Sequence, residues 1–312
     1  MPETPPALDP FAAPARGRRA KVPLAERLAG WLLAGPALTL MWLMLLGPAL
    51  AVLALSFTDW TFGSPQIGWA GATNYRELMA DRVFWISLQN TLTYVAFVVP
   101  VSVAIGLGVA LLIEAGGGLQ GLYRAIYFLP VTSTLLAMAL VFAFAFHPSI
   151  GIITRVLSAV GIPTTDWLKN PHTALFALAS IGIWQAIGLN MVLFLAGLKA
   201  IPRDLYEAAA VDGADGAFER FRRVTWPMLG PATLFVVTIT AVRSFQVFDT
   251  VAVLTEGGPN KATNVLLYQM YQEGFSFLRS AYAAAITVVF LGFVLLLTLL
   301  QVKLQERWTH YA

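Results

Sequence analysis

The chain has 312 residues, 58% of them hydrophobic and only 12% charged, with a mean hydropathy of +0.70 and a formal net charge of +3. A soluble domain carries about 25% charged residues, so this composition excludes an ordinary water-solvated surface and points to lipid. The lack of cysteine excludes disulfides and thiolate metal sites, and basic residues placed at the ends of apolar runs, not in one patch, argue against nucleic acid as a partner.

In chain order, residues 1–27 hold Pro2, Pro5, Pro6, Pro10 and Pro14 beside Ala and Arg, and read as a mobile cytoplasmic tail with a short amphipathic approach around Leu24 to Leu28. They lack a small-residue cleavage site after a short apolar core, so no removal is expected. The rest, 28–312, is expected to be one membrane domain. A spanning helix needs roughly 20 mainly apolar residues, and six segments qualify: about 28–56, 84–113, 125–146, 174–198, 229–254 and 281–302. Pro36 and Pro48 should bend or tilt the first, and the carbonyls they free must find partners by packing against neighbours.

Lys and Arg in the loops set the orientation. Arg16, Arg18, Arg19, Lys21, Arg27, Arg124, Lys199, Arg203, Arg220, Arg222, Arg223, Lys303 and Arg307 fall on one side; Arg76, Arg82, Arg155, Lys169, Lys261 and Arg279 fall on the other. The imbalance puts both termini and the 199–228 loop in the cytoplasm. The outer loops are then about 57–83, 147–173 and 255–280, with Trp60, Trp69, Trp85 and Trp167 as interfacial anchors. The fold class is all-α, with six transmembrane helices.

The 199–228 loop is polar and helix-forming. Pro202 suits a first turn, Asp204 and Glu207 suit the positive end of a helix dipole, and Gly213 can close the helix in a left-handed cap. A second helix, about Ala217 to Trp226, runs to Pro227 at the next span. The low bulk of Ala208, Ala209 and Ala210 would let another protein approach the backbone, and Arg220, Arg222 and Arg223 could meet its acidic groups. An alternative is that an Ala-rich juxtamembrane helix merely caps the bundle.

"EAAAVDG" followed by "RRVTWP" resembles the EAA loop of permease subunits from bacterial binding-protein-dependent ABC importers. Glu207, Ala208, Ala209, Gly213, Val224 and Pro227 match that pattern, with an extra residue in the Ala214–Ala217 turn and Trp226 in place of leucine. "KAIPRDLYEAAAVDGA", "SFQVFD", "LTEGGPNKATNVLLYQMYQEGF" and "SAYAAAITVVFLGFVLLLTLLQ" are similar to the carbohydrate branch, of maltose and multiple-sugar type. The resemblance implies a plasma (inner) membrane permease paired with a second, related permease chain, two ABC ATPase subunits and an extracytoplasmic solute-binding protein landing on loops such as 255–280. Glu207 would then contact the ATPase, and ATP and Mg would be bound there.

Polar residues inside spans tend to face cavities or partner helices. Thr240, Arg243, Ser244 and Val247 share one face of the fifth span by helical spacing, with Gln246 and Asp249 nearby. Arg243 could pair with an acid such as Asp249 or contact substrate oxygens. The resemblance puts that face, and Gly182, Gln185, Ala186 and Leu189 of the fourth span flanked by Trp184 and Asn190, where the family contacts sugar. Gln185, Thr240, Arg243 and Ser244 offer hydroxyl-matching groups; tying helices together is the competing role for Thr240 and Ser244. An exposed guanidinium would equally suit a uronate or glycerol phosphate.

No G-x-x-x-x-G-K-[ST] phosphate loop occurs; "GGPNKAT" lacks the second glycine before its lysine. No acid or histidine cluster has metal-ligand spacing, and His147, His172 and His310 suit solvated or capping roles. No cofactor, metal or catalytic residue is expected on this chain. An ion-coupled secondary transporter would need titratable groups or broken half-helices near the midplane, and a membrane enzyme would need paired acids or a His constellation.

Overall fold

The structure, a computed structural model, describes residues 24–116, 118–162, 165–214 and 216–308. Its helices are α1 (Leu24–Met41), α2 (Gly47–Leu55), α3 (Thr73–Ala80), α4 (Arg82–Ala115), α5 (Gln120–Thr132), α6 (Leu135–Ala145), α7 (Ile152–Ala159), α8 (Ala174–Lys199), α9 (Arg203–Val211), α10 (Ala217–Arg220), α11 (Trp226–Met228), α12 (Gly230–Phe245), α13 (Asp249–Leu254), α14 (Leu266–Tyr271) and α15 (Ser280–Trp308). Single π turns occupy Trp42–Leu46, Phe221–Thr225 and Gln272–Ser276. Among the described residues there is no strand, only an isolated bridge between Thr58 and Trp69.

Among the described residues, five helical runs are long and apolar enough to cross a membrane: Gly30–Leu55, Arg82–Ala115, Ala174–Lys199, Gly230–Leu254 and Ser280–Lys303. The pair Gln120–Thr132 and Ala137–Ala145 makes a sixth when taken as one span, but it is bent by 101°. The continuous third span expected over 125–146 is therefore broken. Ser133 and Thr134 are extended, and the hydroxyls of Thr132 and Ser133 both donate to the Leu129 carbonyl, at 2.9 and 3.1 Å. Such side-chain bonds offer the backbone an alternative to the helix, and Pro130 supplies no N–H to oppose it. The fifth span is also broken. Phe245 ends α12, and α13 begins only at Asp249.

Residues up to Ala51 form one compact unit and Val52–Ala312 a second. In the first, α1 runs through Pro36, and the π turn Trp42–Leu46 lies just ahead of Pro48. That widened turn accommodates a residue with no N–H to give. Leu24 to Leu28, expected to form an amphipathic approach, already belong to this helix. Residues 1–23, which carry most of the expected tail, and His310 lie outside the described residues.

In the second unit α8 packs against α4, α5 and α12. Lipid tails are as apolar as these side chains, so the helices cohere through close contact rather than water exclusion, and small residues set how close they come. A Cβ added to Gly106 of α4 would sit 2.6 Å from the Asn190 Cβ of α8, and one added to Gly188 would overlap the Tyr127 carbonyl of α5. Met191 and Phe194 fill the seam beyond, fully buried with Ile113, Leu198, Val224 and Leu229. This cluster lies where the 199–228 segment joins the bundle.

At the opposite end, Arg279 pairs with Glu77 and, at 3.2 Å, with Glu273, and its guanidinium lies 4.4 Å over the Tyr282 ring. The Tyr282 hydroxyl donates to Asp81 at 2.7 Å, while Asp81 also caps α4 by accepting from the Val83 N–H. The loop 255–264 is tied to α4 at that end. Asn90 donates to the carbonyls of Lys261 and Asn264, and the Asn264 amide donates to Ser87. His147 is exposed and accepts from the Ser149 N–H in a local turn that caps no helix, which is the solvated one of the two roles expected of it.

Candidate functional site

A cavity of about 360 Å³ opens between α4, α5, α8 and the broken fifth span. Gln185, Leu189, Asn190, Thr240, Arg243, Ser244 and Val247 all line it, with Gly182 and Ala186. The seven pathway residues expected from sequence are thus brought together. The structure adds Tyr94, Val98 and Val131 from α4 and α5, and Phe248 and Thr250 from the break and α13, and it brings Gln246 and Asp249, noted nearby from sequence, into the same wall. Trp184 is not in the wall; it packs edge-on against Phe142 at 5.2 Å.

Each wall has a local cause. Gly182 leaves room for Tyr94, whose hydroxyl a Cβ there would overlap. The break after Phe245 removes the helical continuation, so Val247, Phe248 and Asp249 all reach the cavity where a straight helix would spread them around its circumference.

The polar lining divides into two sets. Thr240 and Asn190 are buried, at 3% and 0% exposure, and the Thr240 hydroxyl donates to the Asn190 carbonyl oxygen at 2.7 Å. The Asn190 amide in turn donates to Ser102 of α4 at 3.3 Å. This chain joins α12, α8 and α4, so the helix-tying role applies to Thr240, and Asn190 spends its hydrogen bonds on the wall itself. Ser244 is buried; Gln185 is half-buried. Arg243, Gln246 and Asp249 are exposed. No ion pair to Arg243 occurs among the described residues, so the pairing with Asp249 considered from sequence is not made here. Among the described residues, the cavity therefore presents the Arg243 guanidinium and the Asp249 carboxylate, not paired with each other, to whatever enters.

The 199–228 segment forms an elbow. Pro202, expected in the first turn, instead lies extended just ahead of α9, and Asp204 lies in the helix's first turn. Gly213 adopts φ +82. Its N–H reaches the Ala210 carbonyl at 3.1 Å, and the Ala214 N–H reaches back to Ala209 at 2.8 Å. Those two bonds are the paired closure of a left-handed helix end, so the glycine cap expected from sequence is present. The second arm is one helical run, α10, a π turn and α11, ending at Met228.

Glu207, Ala208, Gly213 and Pro227 are exposed, Ala209 is half-buried and Val224 is buried at 7%. The arms are bolted together by the Tyr206 and Thr225 hydroxyls, 3.1 Å apart. Arg220 donates to the Ala214 carbonyl at 3.2 Å and Arg223 pairs with Glu219 at 3.4 Å. Two of the three arginines expected to face a partner are thus engaged inside the elbow. Val211 and Phe218, 89% and 75% exposed, join Glu207 on its free surface.

Residues 102–310 match the family described as binding-protein-dependent transport system inner membrane component. The sulfoquinovosyl glycerol transport system permease protein SmoG of Agrobacterium fabrum is 32% identical over 283 residues, 90% of this chain and 91% of that protein. The trehalose/maltose transport system permease protein MalF of Thermococcus litoralis is 32% identical over 279 residues, 88% of this chain and 94% of that protein. Among solved structures, a chain of a bacterial ABC transporter that imports the acidic polysaccharide alginate has a TM-score of 0.77 at 22% identity, over 91% of this chain and 98% of that one. The family match over two thirds of the chain, these relatives and the apolar spans together place the chain in the binding-protein-dependent transport system inner membrane component family, as a multi-pass ABC transporter permease of the inner membrane.

Proposed function

We propose that this chain is one permease of an ATP-driven importer for a sugar or sugar derivative delivered by an extracytoplasmic solute-binding protein. Both termini and the elbow lie in the cytoplasm, as the Lys and Arg distribution indicates. A second, related permease completes the pore, and two ABC ATPases bind the elbows, taking ATP and Mg themselves. This chain binds no cofactor and is not an enzyme.

The observation that carries the reading is connectivity. The two helices that bear half of the cavity lining, α8 and α12, leave the two ends of the elbow directly, at Lys199 and Gly230. An ATPase gripping Glu207, Ala208 and Gly213 would move both walls through Ala209, Val224 and Pro227. ATP-driven closure of the ATPases opens the cavity outward, and hydrolysis returns it inward. This is a two-state rigid-body transition biased at a distant site.

The relatives include carriers of a neutral disaccharide and of an acidic sugar derivative. Gln185, Ser244 and Asp249 suit sugar hydroxyls. Arg243 is the position that separates the classes, since a guanidinium pairs bidentately with carboxylate, sulfonate or phosphate. The second reading, import of glycerol 3-phosphate or a uronate by the same architecture, rests on that residue. Broken spans also occur in ion-coupled carriers, but family membership favours ATP coupling.

The test is uptake into proteoliposomes holding the complete transporter, with its binding protein outside and ATP inside. Labelled trehalose, maltose, sulfoquinovosyl glycerol and sn-glycerol 3-phosphate are offered in turn. ATP-dependent accumulation of a sugar, lost in Glu207→Lys while the subunits still co-purify, is the expected result. Accumulation that ignores ATP and follows an ion gradient would overturn it. Arg243→Ala should weaken acidic substrates more than neutral ones without disturbing assembly.

A further inference from the structure

Tyr94 of α4 is 4% exposed, yet its hydroxyl has no hydrogen-bond partner among the described residues. Thr240 and Asn190 in the same wall spend their polar atoms on each other. The unpartnered Thr250 hydroxyl is itself covered by protein. The Tyr94 oxygen is not, and the small part of the residue left open faces the cavity it lines. A buried tyrosine ordinarily finds a partner for its O–H; phenylalanine would fill the same crease between α4 and α8 with no such group to satisfy. Gly182 of α8 holds this oxygen in place, since a Cβ there would overlap the hydroxyl and lie 3.1 Å from the ring carbon that bears it. Gln185, three residues on, shares that face of α8 and lines the same wall roughly 5 Å further along the helix axis.

We infer that the Tyr94 hydroxyl is a specificity contact for the imported molecule, bonding one of its oxygens while Gln185 serves a neighbouring one; this deepens the sugar reading above and rests on it. A phenol O–H donates to any oxygen and accepts from any hydroxyl. It therefore serves neutral and acidic molecules alike, whereas the Arg243 guanidinium favours an anion. A sugar, whose rim carries adjacent hydroxyls that each donate and accept, suits a tyrosine and a glutamine set side by side. The second permease fits the position less well. The oxygen lies in a crease between two packed helices of this chain, which a narrow polyhydroxyl molecule can enter and a helix, about 10 Å across, cannot.

The experiment uses the complete transporter with wild-type binding protein, locked by ATP and vanadate, and measures how tightly it retains each of the four labelled compounds named above. Tyr94→Phe should hold neutral and acidic compounds alike about three- to tenfold less tightly, the range for one neutral hydrogen bond, while Arg243→Ala should weaken chiefly the acidic ones. Because the hydroxyl bonds nothing in this chain, Tyr94→Phe should keep the wild-type unfolding temperature and co-purify with the other subunits. Gly182→Ala, which keeps the hydroxyl but displaces it, should weaken retention by a similar factor. Wild-type retention in Tyr94→Phe, the behaviour of a hydroxyl that meets only water, would overturn the contact while leaving ATP-driven import intact. A lower unfolding temperature or lost co-purification with retention unchanged would overturn it in favour of a packing or subunit role. Uptake that follows an ion gradient and is still weakened by Tyr94→Phe would keep the contact and overturn ATP coupling instead.

Discussion

Replacing Thr240 with valine separates the two roles its position allows. Valine keeps the shape of the side chain and deletes the hydroxyl that donates to Asn190 at 2.7 Å. Asn190 is fully buried and its amide is already turned toward Ser102, so its carbonyl oxygen would lose its donor. A buried group left unsatisfied costs about 1–3 kcal/mol in water-soluble proteins. Within bilayers the measured figure averages about 0.6 and reaches about 1.7 kcal/mol, because helices separated in the membrane find other partners. A loss near 1 kcal/mol is therefore expected. It should appear as a lower unfolding temperature for the purified chain in detergent. Asn190→Leu removes the acceptor too, and the freed Thr240 hydroxyl can turn to the carbonyl one turn back. The double variant should then be more stable than the two single losses added together, by about 1 kcal/mol. Sugar uptake by Thr240→Val should keep its KM within about twofold, since an interaction made equally in free and loaded protein does not enter binding. An unchanged unfolding temperature with a tenfold higher KM would refute the reasoning and return Thr240 to the substrate.

Gly188→Ala should destabilise the fold by about 1–3 kcal/mol, as overpacking does, because the new methyl would overlap the Tyr127 carbonyl and lie 3.0 Å from Val131. Gly108→Ala, with nothing within 4 Å of its added Cβ, should be neutral or slightly stabilising; equal melting of the two variants would refute the close seam between α5 and α8. At the outer end, burial raises the Glu273 pKa, with Arg279 opposing and Asp81 and Glu77 adding to the shift. The folded chain then holds that proton more tightly than the unfolded one. The associated stability is present below the ordinary glutamate range, about 4.3, and is lost as pH rises through the raised value. Thermal melts across that window should fall with pH and level off above it, and Glu273→Gln should flatten the fall; a variant with the wild-type slope would refute the assignment.

What was legible in the sequence follows from how local each signal is. Span lengths depend on runs of apolar residues, and all six are recovered within several residues when the bent pair is one span. The Gly213 cap was legible because only a short segment and one left-handed residue decide it. The breaks were not. "SFQVFD" is apolar enough to read as helix, and only the structure reveals that Gln246 ends it. Pro130 with Ser133 and Thr134 was a readable signal for the other break, outweighed by the apolar run around it. The Arg279 cluster joins Glu77, Asp81, Glu273 and Tyr282 from segments about two hundred positions apart, a proximity that no local pattern contains. Arg220 looked free for a partner because its acceptor, the Ala214 carbonyl, is set by the elbow's own turn, whereas the Glu219–Arg223 pair, four residues apart on one helical arm, was a local pattern left unread.

The same contacts constrain how the proposed lever can work. Thr240 and Asn190 bind α12 to α8 beside the cavity, and Val224 and Leu229 bind the elbow to the buried end of α8. Elbow, α8 and the lower part of α12 are thus one packed body, and packed bodies rotate more readily than they shear. A pull on Glu207 would carry both walls together and could not open the cavity by parting them. The opening has to occur where the chain has already given up regular hydrogen bonding: at Gln246–Phe248, beyond which α13 is a separate helix, and at Ser133–Thr134, beyond which α6 leaves α5. Arg243 and Ser244 lie on the body side of the first break, whereas Phe248 and Asp249 lie across it. A substrate held between those pairs would feel a body rotation as a change in their spacing, which is the differential contact that any coupling between two sites requires.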